Sequence, residues 1–423
     1  MQEKIINHFI SLTKVPHCSQ NIELLYKYLI DFAKNRGYVV ESDEAKNILI
    51  KKGTPTLALQ AHYDMVCMGK APNIDTYIKE GWMGARDSSL GADNGIAIAM
   101  MMQLMDDGAE LEFLLTADEE IGLIGASAIE LNLTSKYMLN IDFEDEGIVC
   151  IGCAGGADLI ATKSFDKVEG YGYNYEVSVL GLTGGHSGVE IHKDIPNAIK
   201  VLSDYLKDKD VYVASCYGGE RRNSIPANVV MELSSKEPLI ADDMVEVKLL
   251  EEKLTTYKSS DFLNLLEDFK HGIHEFNDEF NLADSSINLA MVTFENGEAK
   301  VECSSRAMDD NRLEMINNRT EELFNKYGFK STIEYKYPAW KPEINEFTSS
   351  VKDAMSKAFG ESKYEAIHAG LECGVLLEHY PSIKFASIGP TIVSPHSIHE
   401  KIKIDSIGKI FAVIQEVITC SKD

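Results

Sequence analysis

A histidine and an aspartate two residues apart close one of the apolar runs of this 423-residue chain. They are His62 and Asp64, in the stretch LQAHYDMV that covers residues 59–66. Side chains at positions i and i+2 of a β-strand lie on the same face, so both groups are within reach of one common partner. The pair therefore predicts a single chemical site at the end of a strand.

Four further motifs carry side chains of the same two types, each at a predicted strand end or in a loop beside one. They are Asp93 in LGADNG, Glu119 and Glu120 in TADEEIG, Asp142 in NIDFEDEG and His396 in SPHS. Imidazole nitrogens and carboxylate oxygens are ligands that zinc accepts. Two metal ions held close together need one shared carboxylate, with the other ligands divided between them. Each motif alone is an ordinary turn or buried polar residue, but together they predict a two-metal site with one carboxylate to spare.

Alternating helices and strands are predicted to carry these residues. Helical spacing over residues 21–38 and 95–105 alternates with short apolar runs at residues 47–52, 56–65, 111–118 and 137–143. Such alternation predicts an α/β fold with a mostly parallel sheet flanked by helices. Ligands of these sheets bind beyond the carboxyl ends of the strands, which is where the candidate residues fall.

The middle of the chain predicts a second domain of α+β type. Several strand-like segments surround one helical segment, and Asn296-Gly297 predicts the tight turn of a hairpin. The helix–strand alternation of the first part resumes after residue 341. We therefore predict a catalytic domain of residues 1–156 plus 342–423, interrupted by an inserted lid or dimerisation domain of residues 157–341.

Charge and composition narrow the possible partners. The formal net charge of −26 disfavours nucleic acid and anionic membrane surfaces as partners. No apolar run approaches the roughly 18 residues of a membrane span, and no secretory signal is recognisable at the start. Eight scattered cysteines without such a signal predict reduced thiols and a cytoplasmic protein. The CxxC of Cys150 and Cys153 stands alone in a strand-like segment, which favours a structural role over a redox or zinc site.

The order of the motifs resembles the aminoacyl-histidine dipeptidases, a branch of the co-catalytic zinc metallopeptidases of clan MH. The resemblance covers nearly the whole chain and includes the motifs quoted above together with IGCAGG, GLTGGHSG, RRNSIP, HAGLECG and SIGPTIVSPHS. HAGLECG and GLTGGHSG are typical of the dipeptidase branch, whereas the HxD and EE motifs belong to the wider family. The resemblance implies a zinc-exopeptidase fold with an inserted domain.

The resemblance also implies how the metal ligands are divided. His62 and Asp142 would hold one ion, Glu120 and His396 would hold the other, and Asp93 would bridge the two. The implied cofactor is a pair of divalent metal ions, zinc in the first place, with manganese or cobalt as alternatives.

Two acidic residues would act without binding metal. By the resemblance, Asp64 orients the imidazole of His62 and raises its basicity. Glu119 would be the general base that takes a proton from the attacking water and delivers it to the leaving amine. A cis peptide bond between Asp93 and Asn94 is a further feature that the resemblance implies.

The inserted domain would supply contacts to the substrate. The resemblance gives His186 of GLTGGHSG a role in stabilising the oxyanion, from within the active site of a partner subunit. Asn223 and Arg306 match positions that hold the substrate's terminal carboxylate, a task that suits the bidentate fork of arginine. Gly370 would offer its backbone to the same substrate. A homodimer formed through the inserted domain follows from these roles.

Three functions remain open from the sequence. The first is a two-metal dipeptidase that hydrolyses unblocked dipeptides, with Xaa-His among them. The second is an N-acyl amino acid deacylase or a small-peptide aminopeptidase on the same scaffold, since such folds change substrate by changing the lid. The third is a metal-binding interaction protein without catalysis, which the presence of Glu119 beside the predicted ligands disfavours.

Overall fold

Two compact units make up the computed structural model, which describes residues 1–421. The first unit contains Met1–Cys153, Trp340–Ala366 and the chain from Leu371 onward, and the second contains Ala154–Ala339 and Ile367–Gly370. None of the helices in the described part of the chain combines the length and apolarity needed to cross a lipid bilayer.

The unit boundaries fall two or three residues from the predicted ones, since residues 154–156 belong to the second unit and residues 340 and 341 to the first, and one further segment changes unit. Residues 342–423 were predicted to belong entirely to the first domain, but Ile367–Gly370 group with the second unit. The physical reason is backbone pairing: the N–H of Ala154 donates to the carbonyl oxygens of Ile367 at 3.0 Å and Ala369 at 3.1 Å.

The first part of the chain builds most of the first unit. Its helices are α1 (Gln2–Leu12), α2 (Glu23–Lys34), α3 (Ala92–Asp106) and α4 (Ile124–Ser127). Its strands are β1 (Val39–Ser42), β2 (Ile48–Lys51), β3 (Leu57–His62), β4 (Thr76–Lys79), β5 (Trp82–Ala85), β6 (Glu112–Thr116), β7 (Tyr137–Asn140) and β8 (Ile148–Cys153).

The second unit follows in the chain and consists mainly of strands. These are β9 (Gly155–Ser164), β10 (Lys167–Val168), β11 (Tyr173–Val179), β12 (Gly185–His186), β13 (Val211–Gly218), β14 (Ser224–Ile225), β15 (Val229–Ser235), β16 (Glu246–Leu250), β17 (Thr256–Tyr257), β18 (Gly272–Asn277), β19 (Leu282–Glu295), β20 (Glu298–Ala307) and β21 (Lys330–Tyr337). Its helices are α5 (Ala198–Leu206), α6 (Ser260–Asp268) and α7 (Asp310–Lys326).

The last part of the chain returns to the first unit. Its elements are α8 (Glu346–Phe359), β22 (Lys363–Ile367), α9 (Glu372–His379), β23 (Lys384–Ser387), β24 (Ile392–Val393), β25 (Lys401–Lys403) and α10 (Ile404–Cys420).

An eight-stranded sheet organises the first unit, with the order β1-β2-β6-β3-β7-β23-β8-β22. The four central strands β6, β3, β7 and β23 are parallel, whereas β1, β2 and β8 pair antiparallel beside them. Strands buried on both faces are expected to be continuously apolar, and β3 and β6 are buried along their whole length. The predicted α/β class is confirmed, but the expectation of a mostly parallel sheet holds only for the four central strands, because the outer strands pair antiparallel.

Helix α3 is the buried helix that the apolar run at residues 95–105 predicted. Nearly every residue after its first turn is buried, as expected for a helix that is apolar all round. Gly95 allows α1 to approach closely, because a Cβ atom there would lie 3.1 Å from the Phe9 ring. This packing fixes the start of α3, which carries Asp93.

The second unit is an antiparallel sheet covered by helices, in agreement with the α+β prediction. Its main path is β16-β11-β15-β13-β19-β20-β9-β21, and apolar side chains of α5, α6 and α7 form its core with the sheet. The predicted hairpin joins β19 to β20, and Asn296 and Gly297 both have the positive φ angles that a tight primed turn requires.

The cysteines only partly match the prediction of reduced thiols. Cys18 and Cys67 form a disulfide, so the prediction is wrong for this pair. The two residues are 49 positions apart and are brought together by the pairing of Cys18 with Met65 beside the end of β3. Cys150 and Cys153 are buried in β8 and are not joined by a disulfide.

Candidate metal centre

The predicted ligands lie at the carboxyl edge of the parallel strands. His62 is the last residue of β3, Glu119 and Glu120 follow β6, and Asp142 lies two residues beyond β7. These three strands are neighbours in the order β6-β3-β7, so their ends bring the side chains to one place. The expected position of the site is therefore the observed one.

Asp93 lies between two imidazoles. Its Oδ1 atom is 3.1 Å from Nε2 of His62, and its Oδ2 atom is 3.0 Å from Nε2 of His396. The Asp93–Asn94 peptide bond is cis, as the resemblance implied. Because each carboxylate oxygen faces a different imidazole, Asp93 can contribute one oxygen to each of two cations.

The remaining candidates complete two groups around Asp93. Oδ1 of Asp142 lies 3.3 Å from Nε2 of His62, and Oε2 of Glu120 lies 2.8 Å from Nε2 of His396. The ligand atoms of His62, Asp93 and Asp142 all lie within 4.8 Å of one another, as do those of Asp93, Glu120 and His396. Within the described part of the chain, Oε1 of Glu120 is buried without a hydrogen-bond partner. This orphaned oxygen and the set of imidazole and carboxylate donors fit divalent metal ions as ligands.

Both imidazoles sit in a strongly negative environment. Burial acts to lower the pKa of His62, but the carboxylates of Asp142, Asp64 and Asp93 outweigh it and raise the pKa well above the usual value. Burial likewise opposes the charge on His396, whose pKa is nevertheless raised to about 11 by Asp93 and Glu120. A field that holds protons this firmly also favours divalent cations at the same atoms.

The surrounding carboxylates respond to crowding and burial. Burial raises the pKa of Glu119 well above its usual range, and it raises those of Glu120 and Glu144 to about 7 and about 8. Burial also raises the pKa of Asp142. Asp93 differs, because its hydrogen bonds to the two histidines overcome burial and lower its pKa. Asp93 is thus the carboxylate best held in its charged form.

Asp64 connects His62 to the loop after β6. It accepts hydrogen bonds from the Ser19 hydroxyl at 2.8 Å and from the backbone N–H of Glu119 at 3.0 Å and Glu120 at 3.4 Å. Burial acts to raise the pKa of Asp64, but its hydrogen bonds, those to His62 and Ser19 among them, lower it overall. The charged carboxylate therefore fixes the backbone that carries Glu119 and Glu120.

The imidazole of His62 has a defined orientation. Its Nδ1 atom lies 3.1 Å from the carbonyl oxygen of Asp64 and 3.5 Å from Oδ1 of the same residue. Both atoms are acceptors, so Nδ1 carries the proton and Nε2 is left to face Asp93 and Asp142. Asp64 thus stands where the resemblance placed an orienting carboxylate.

Two supporting residues were not recognised in the sequence. Glu400, four residues after His396, is buried and accepts hydrogen bonds from four consecutive backbone N–H groups, those of residues 90–93, at 2.7–3.3 Å. Asn94 donates to the carbonyl oxygen of Ile141 at 2.9 Å and to the Asp142 carboxylate. The sequence signal was only their closeness to His396 and Asp93, which many solvated residues share.

The predicted substrate residues all lie in the second unit. Nδ1 of His186 accepts from the backbone N–H of Gly188 and Val189, both at 3.2 Å, so its proton is on Nε2, which becomes a donor. Arg306 donates to the Tyr337 hydroxyl at 2.8 Å, and a Cβ atom at Gly370 would lie 2.9 Å from the Tyr337 ring. The structure therefore brings Arg306 and Gly370 to the same tyrosine.

Arg306 and Asn223 differ in burial and in hydrogen bonding. Nε of Arg306 is buried and has no hydrogen-bond partner among residues 1–421. Asn223 is exposed beside β14, where its carbonyl oxygen accepts from the N–H of Ser187 at 2.9 Å. His186 lies in β12, which pairs with β14, so Asn223 and His186 belong to one small ribbon.

An α/β unit with clustered imidazoles and carboxylates at the carboxyl edge of its sheet has the donors of a metal-dependent enzyme. The sequence pattern of the peptidase family M20/M25/M40 matches residues 58–419 of this chain. The chain therefore belongs to this family of metallopeptidases, which bind divalent metal ions and hydrolyse peptide bonds.

Individual relatives agree with this assignment. The cytosol non-specific dipeptidase of Escherichia coli is 31% identical, over 97% of this chain and 96% of the relative. The crystal structure of aminoacylhistidine dipeptidase from Vibrio alginolyticus superposes with a TM-score of 0.84 at 28% identity, covering 99% of this chain and 96% of that one. A Staphylococcus aureus tripeptidase superposes with a TM-score of 0.61 over 100% and 98% of the two chains, and at 17% identity this likeness concerns the fold alone.

Replacing Asp64 with asparagine should weaken metal binding. One acceptor oxygen becomes an NH2 group, which cannot accept from Ser19 or from the backbone N–H of Glu119. We expect a loss of about 10–100-fold in zinc affinity, the usual effect of removing a partner that orients a ligand. Competition with a chromophoric chelator measures this affinity.

The control is Asp43→Asn, because Asp43 also accepts from backbone N–H groups, those of Asn47 and Glu130, but contacts none of the candidate ligands. This variant should bind zinc as the unchanged protein does. Unaltered affinity in Asp64→Asn would contradict the orienting role.

Proposed function

We propose that this protein is a two-metal dipeptidase that hydrolyses the peptide bond of unblocked dipeptides, with Xaa-His dipeptides among its substrates. The observation that carries the proposal is the position of Asp93, whose two oxygens face His62 on one side and His396 on the other. A carboxylate placed in this way is what a pair of metal ions requires as a bridge. The names of the Escherichia coli and Vibrio relatives support dipeptides as substrates.

Five residues would hold the two ions, with zinc as the first candidate and manganese or cobalt as alternatives. His62 and Asp142 would bind one ion, Glu120 and His396 the other, and Asp93 both. When bound, such ions lower the pKa of water and polarise the scissile carbonyl group.

Glu119 is the proposed proton carrier. It is adjacent to Glu120 but assigned to neither metal, and its backbone is fixed by Asp64. Burial raises the pKa of its carboxyl group, which suits a group that must take up a proton and release it again. Glu119 would accept the proton of the attacking water and deliver it to the nitrogen of the leaving amine.

Residues of the second unit would recognise the substrate. Arg306, with its unpartnered Nε, would bind the terminal carboxylate together with Asn223 and the backbone at Gly370. The protonated Nε2 of His186 would donate to the oxyanion that develops on the attacked carbonyl. In the proposed homodimer, formed through the inserted domain, His186 would serve the active site of the partner subunit.

A second candidate activity is deacylation of N-acyl amino acids or aminopeptidase action on small peptides. It uses the same metal centre and carboxylate-binding arginine, because both substrate types end in a free carboxylate. The third candidate, a non-catalytic metal-binding protein, is disfavoured by Glu119, because a purely structural site has no use for a carboxylate beside its ligands. The cytosolic relative favours the cytoplasm as the place of action.

Substrate preference separates the two enzymatic candidates. With zinc, manganese or cobalt supplied, we expect ordinary and carnosine-like dipeptides to be cleaved at least about tenfold better, in kcat/KM, than N-acetyl amino acids. Chromatography measures the release of free amino acids over time, and this gives the rates. Preference for the N-acetyl substrates would favour the deacylase instead.

Glu119→Ala should keep the metals and lose hydrolysis. Removing a general base costs about 10²–10⁴-fold in rate, while the five proposed ligands remain in place. Metal content by mass spectrometry and kcat on a dipeptide give the two readouts. Glu130→Ala is the control, since Glu130 is an exposed glutamate in the same connection between β6 and β7. Full activity in Glu119→Ala would refute the assigned base.

Mixing two inactive variants tests whether His186 acts across the dimer. A His186→Ala chain and a Glu119→Ala chain are each expected to be inactive alone. Random re-pairing gives half mixed dimers with one complete site each, so activity should recover to about a quarter of the unchanged protein. Glu119→Ala mixed with a chain carrying both substitutions is the control that should stay inactive. No recovery despite mixed dimers would exclude the role in trans.

A further inference from the structure

A row of buried polar side chains crosses the four central strands of the first unit. It consists of Thr116 on β6, Gln60 on β3, Asn140 on β7 and Ser387 on β23, all fully buried. Gln60 is in register with Asn140, and Asn140 is in register with Ser387. Polar groups inside a sheet destabilise the fold unless they are hydrogen-bonded, so the bonds within this row explain how it is tolerated.

The hydrogen bonds of the row all run in one direction. Ser387 donates to Oδ1 of Asn140, and Nδ2 of Asn140 donates to Oε1 of Gln60. Nε2 of Gln60 then donates to Oε2 of Glu372 at 2.5 Å and to the Thr116 hydroxyl at 3.0 Å, and this hydroxyl donates to the same Glu372 oxygen at 2.7 Å. Glu372, the first residue of α9, is fully buried and is the acceptor at which the row ends.

The row lies immediately before the metal centre along the strands. His62 follows Gln60 by two residues and therefore shares its face of β3, and Asp142 follows Asn140 by the same interval. Oδ1 of Asn140 also accepts from the backbone N–H of Asp142 at 3.2 Å. The side-chain orientation of Asn140 is thus tied to the backbone that presents a proposed ligand.

We infer that Glu372 is a positioning residue for the metal centre, which acts by terminating this row as its acceptor. The inference rests on the proposed function, because it concerns the residues proposed to bind metal. Two donors converge on one oxygen of Glu372, and this fixes which end of the Gln60 amide faces Asn140. The orientation passes to Asn140 and from there to the backbone of Asp142. Without Glu372, Nε2 of Gln60 keeps only the Thr116 hydroxyl, at 3.0 Å, as its acceptor, so the amides of Gln60 and Asn140 are held less firmly.

Substitutions at Glu372 separate the acceptor from its charge. Glu372→Gln keeps an acceptor oxygen toward Gln60 and Thr116, and its NH2 group takes the place of Oε1, which has no hydrogen-bond partner among residues 1–421. We expect this variant to bind zinc within about threefold of the unchanged protein. Glu372→Leu removes the acceptor, and we expect a loss of about tenfold or more. Competition with a chromophoric chelator measures affinity, and thermal melting of the metal-free proteins measures stability.

Glu112 on β6 provides the matched control. Its carboxylate is equally buried and accepts from the N–H and hydroxyl groups of Thr134 and Ser135. It lies four residues before Thr116, about 13 Å away along the strand. Glu112→Leu should lower the melting temperature of the metal-free protein without changing its zinc affinity. Equal losses of affinity in Glu112→Leu and Glu372→Leu would show a general structural effect and overturn the inference.

A second variant covers the case in which Glu372→Leu does not fold. Gln60→Met keeps similar volume, adds no charge and cuts the row between Glu372 and Asn140, so it should lose zinc affinity by a similar factor. Affinity close to that of the unchanged protein in Gln60→Met or Glu372→Leu would overturn the inference. Failure of the unchanged protein itself to bind zinc or manganese would instead refute the proposed metal centre, so the two failures are distinguishable.

Discussion

The burial of several carboxylates close to one another is the constraint on which the candidate centre depends. Glu119, Glu120, Asp142 and Glu144 all have raised pKa values because they are withdrawn from water beside one another. Groups of like charge in such surroundings need positive charge between them. The two imidazoles supply part of it, and the geometry around Asp93 provides places for cations that would supply the rest. Metal binding would therefore also stabilise this edge of the sheet.

The fold meets this constraint by holding the backbone of the loops that carry the candidate ligands, in addition to packing side chains. Parallel strands deliver His62, the Glu119–Glu120 pair and Asp142 to one edge. Carboxylates that bind backbone N–H groups then hold the intervening loops: Asp64 holds the loop after β6, and Glu400 holds the turn before Asp93. The polar row beneath the edge belongs to the same arrangement. A centre built from flexible acidic side chains thus acquires a defined geometry.

Local sequence patterns predicted much of this architecture. The alternation of apolar runs predicted the α/β class, and Asn296-Gly297 predicted the hairpin of the second unit. Both predictions succeeded because strand periodicity and turn formation depend on residues that are neighbours in the sequence. The antiparallel outer strands, the Cys18–Cys67 disulfide and the grouping of Ile367–Gly370 with the second unit depend on contacts between distant segments. Glu400 and Glu372 escaped notice because a glutamate near a histidine or a glycine is usually solvated, and only burial distinguishes these two.

The discontinuous first unit has a consequence for how the centre comes into being. His62, Asp93, Glu120 and Asp142 all lie at or before residue 142, whereas His396 follows some 250 residues later. A ribosome delivers the chain from its amino end, and domains fold as their segments emerge. Four of the five proposed ligands are therefore synthesised early, and only His396 waits for the last part of the chain. Until then, Oδ2 of Asp93 lacks the imidazole that it faces in the folded protein.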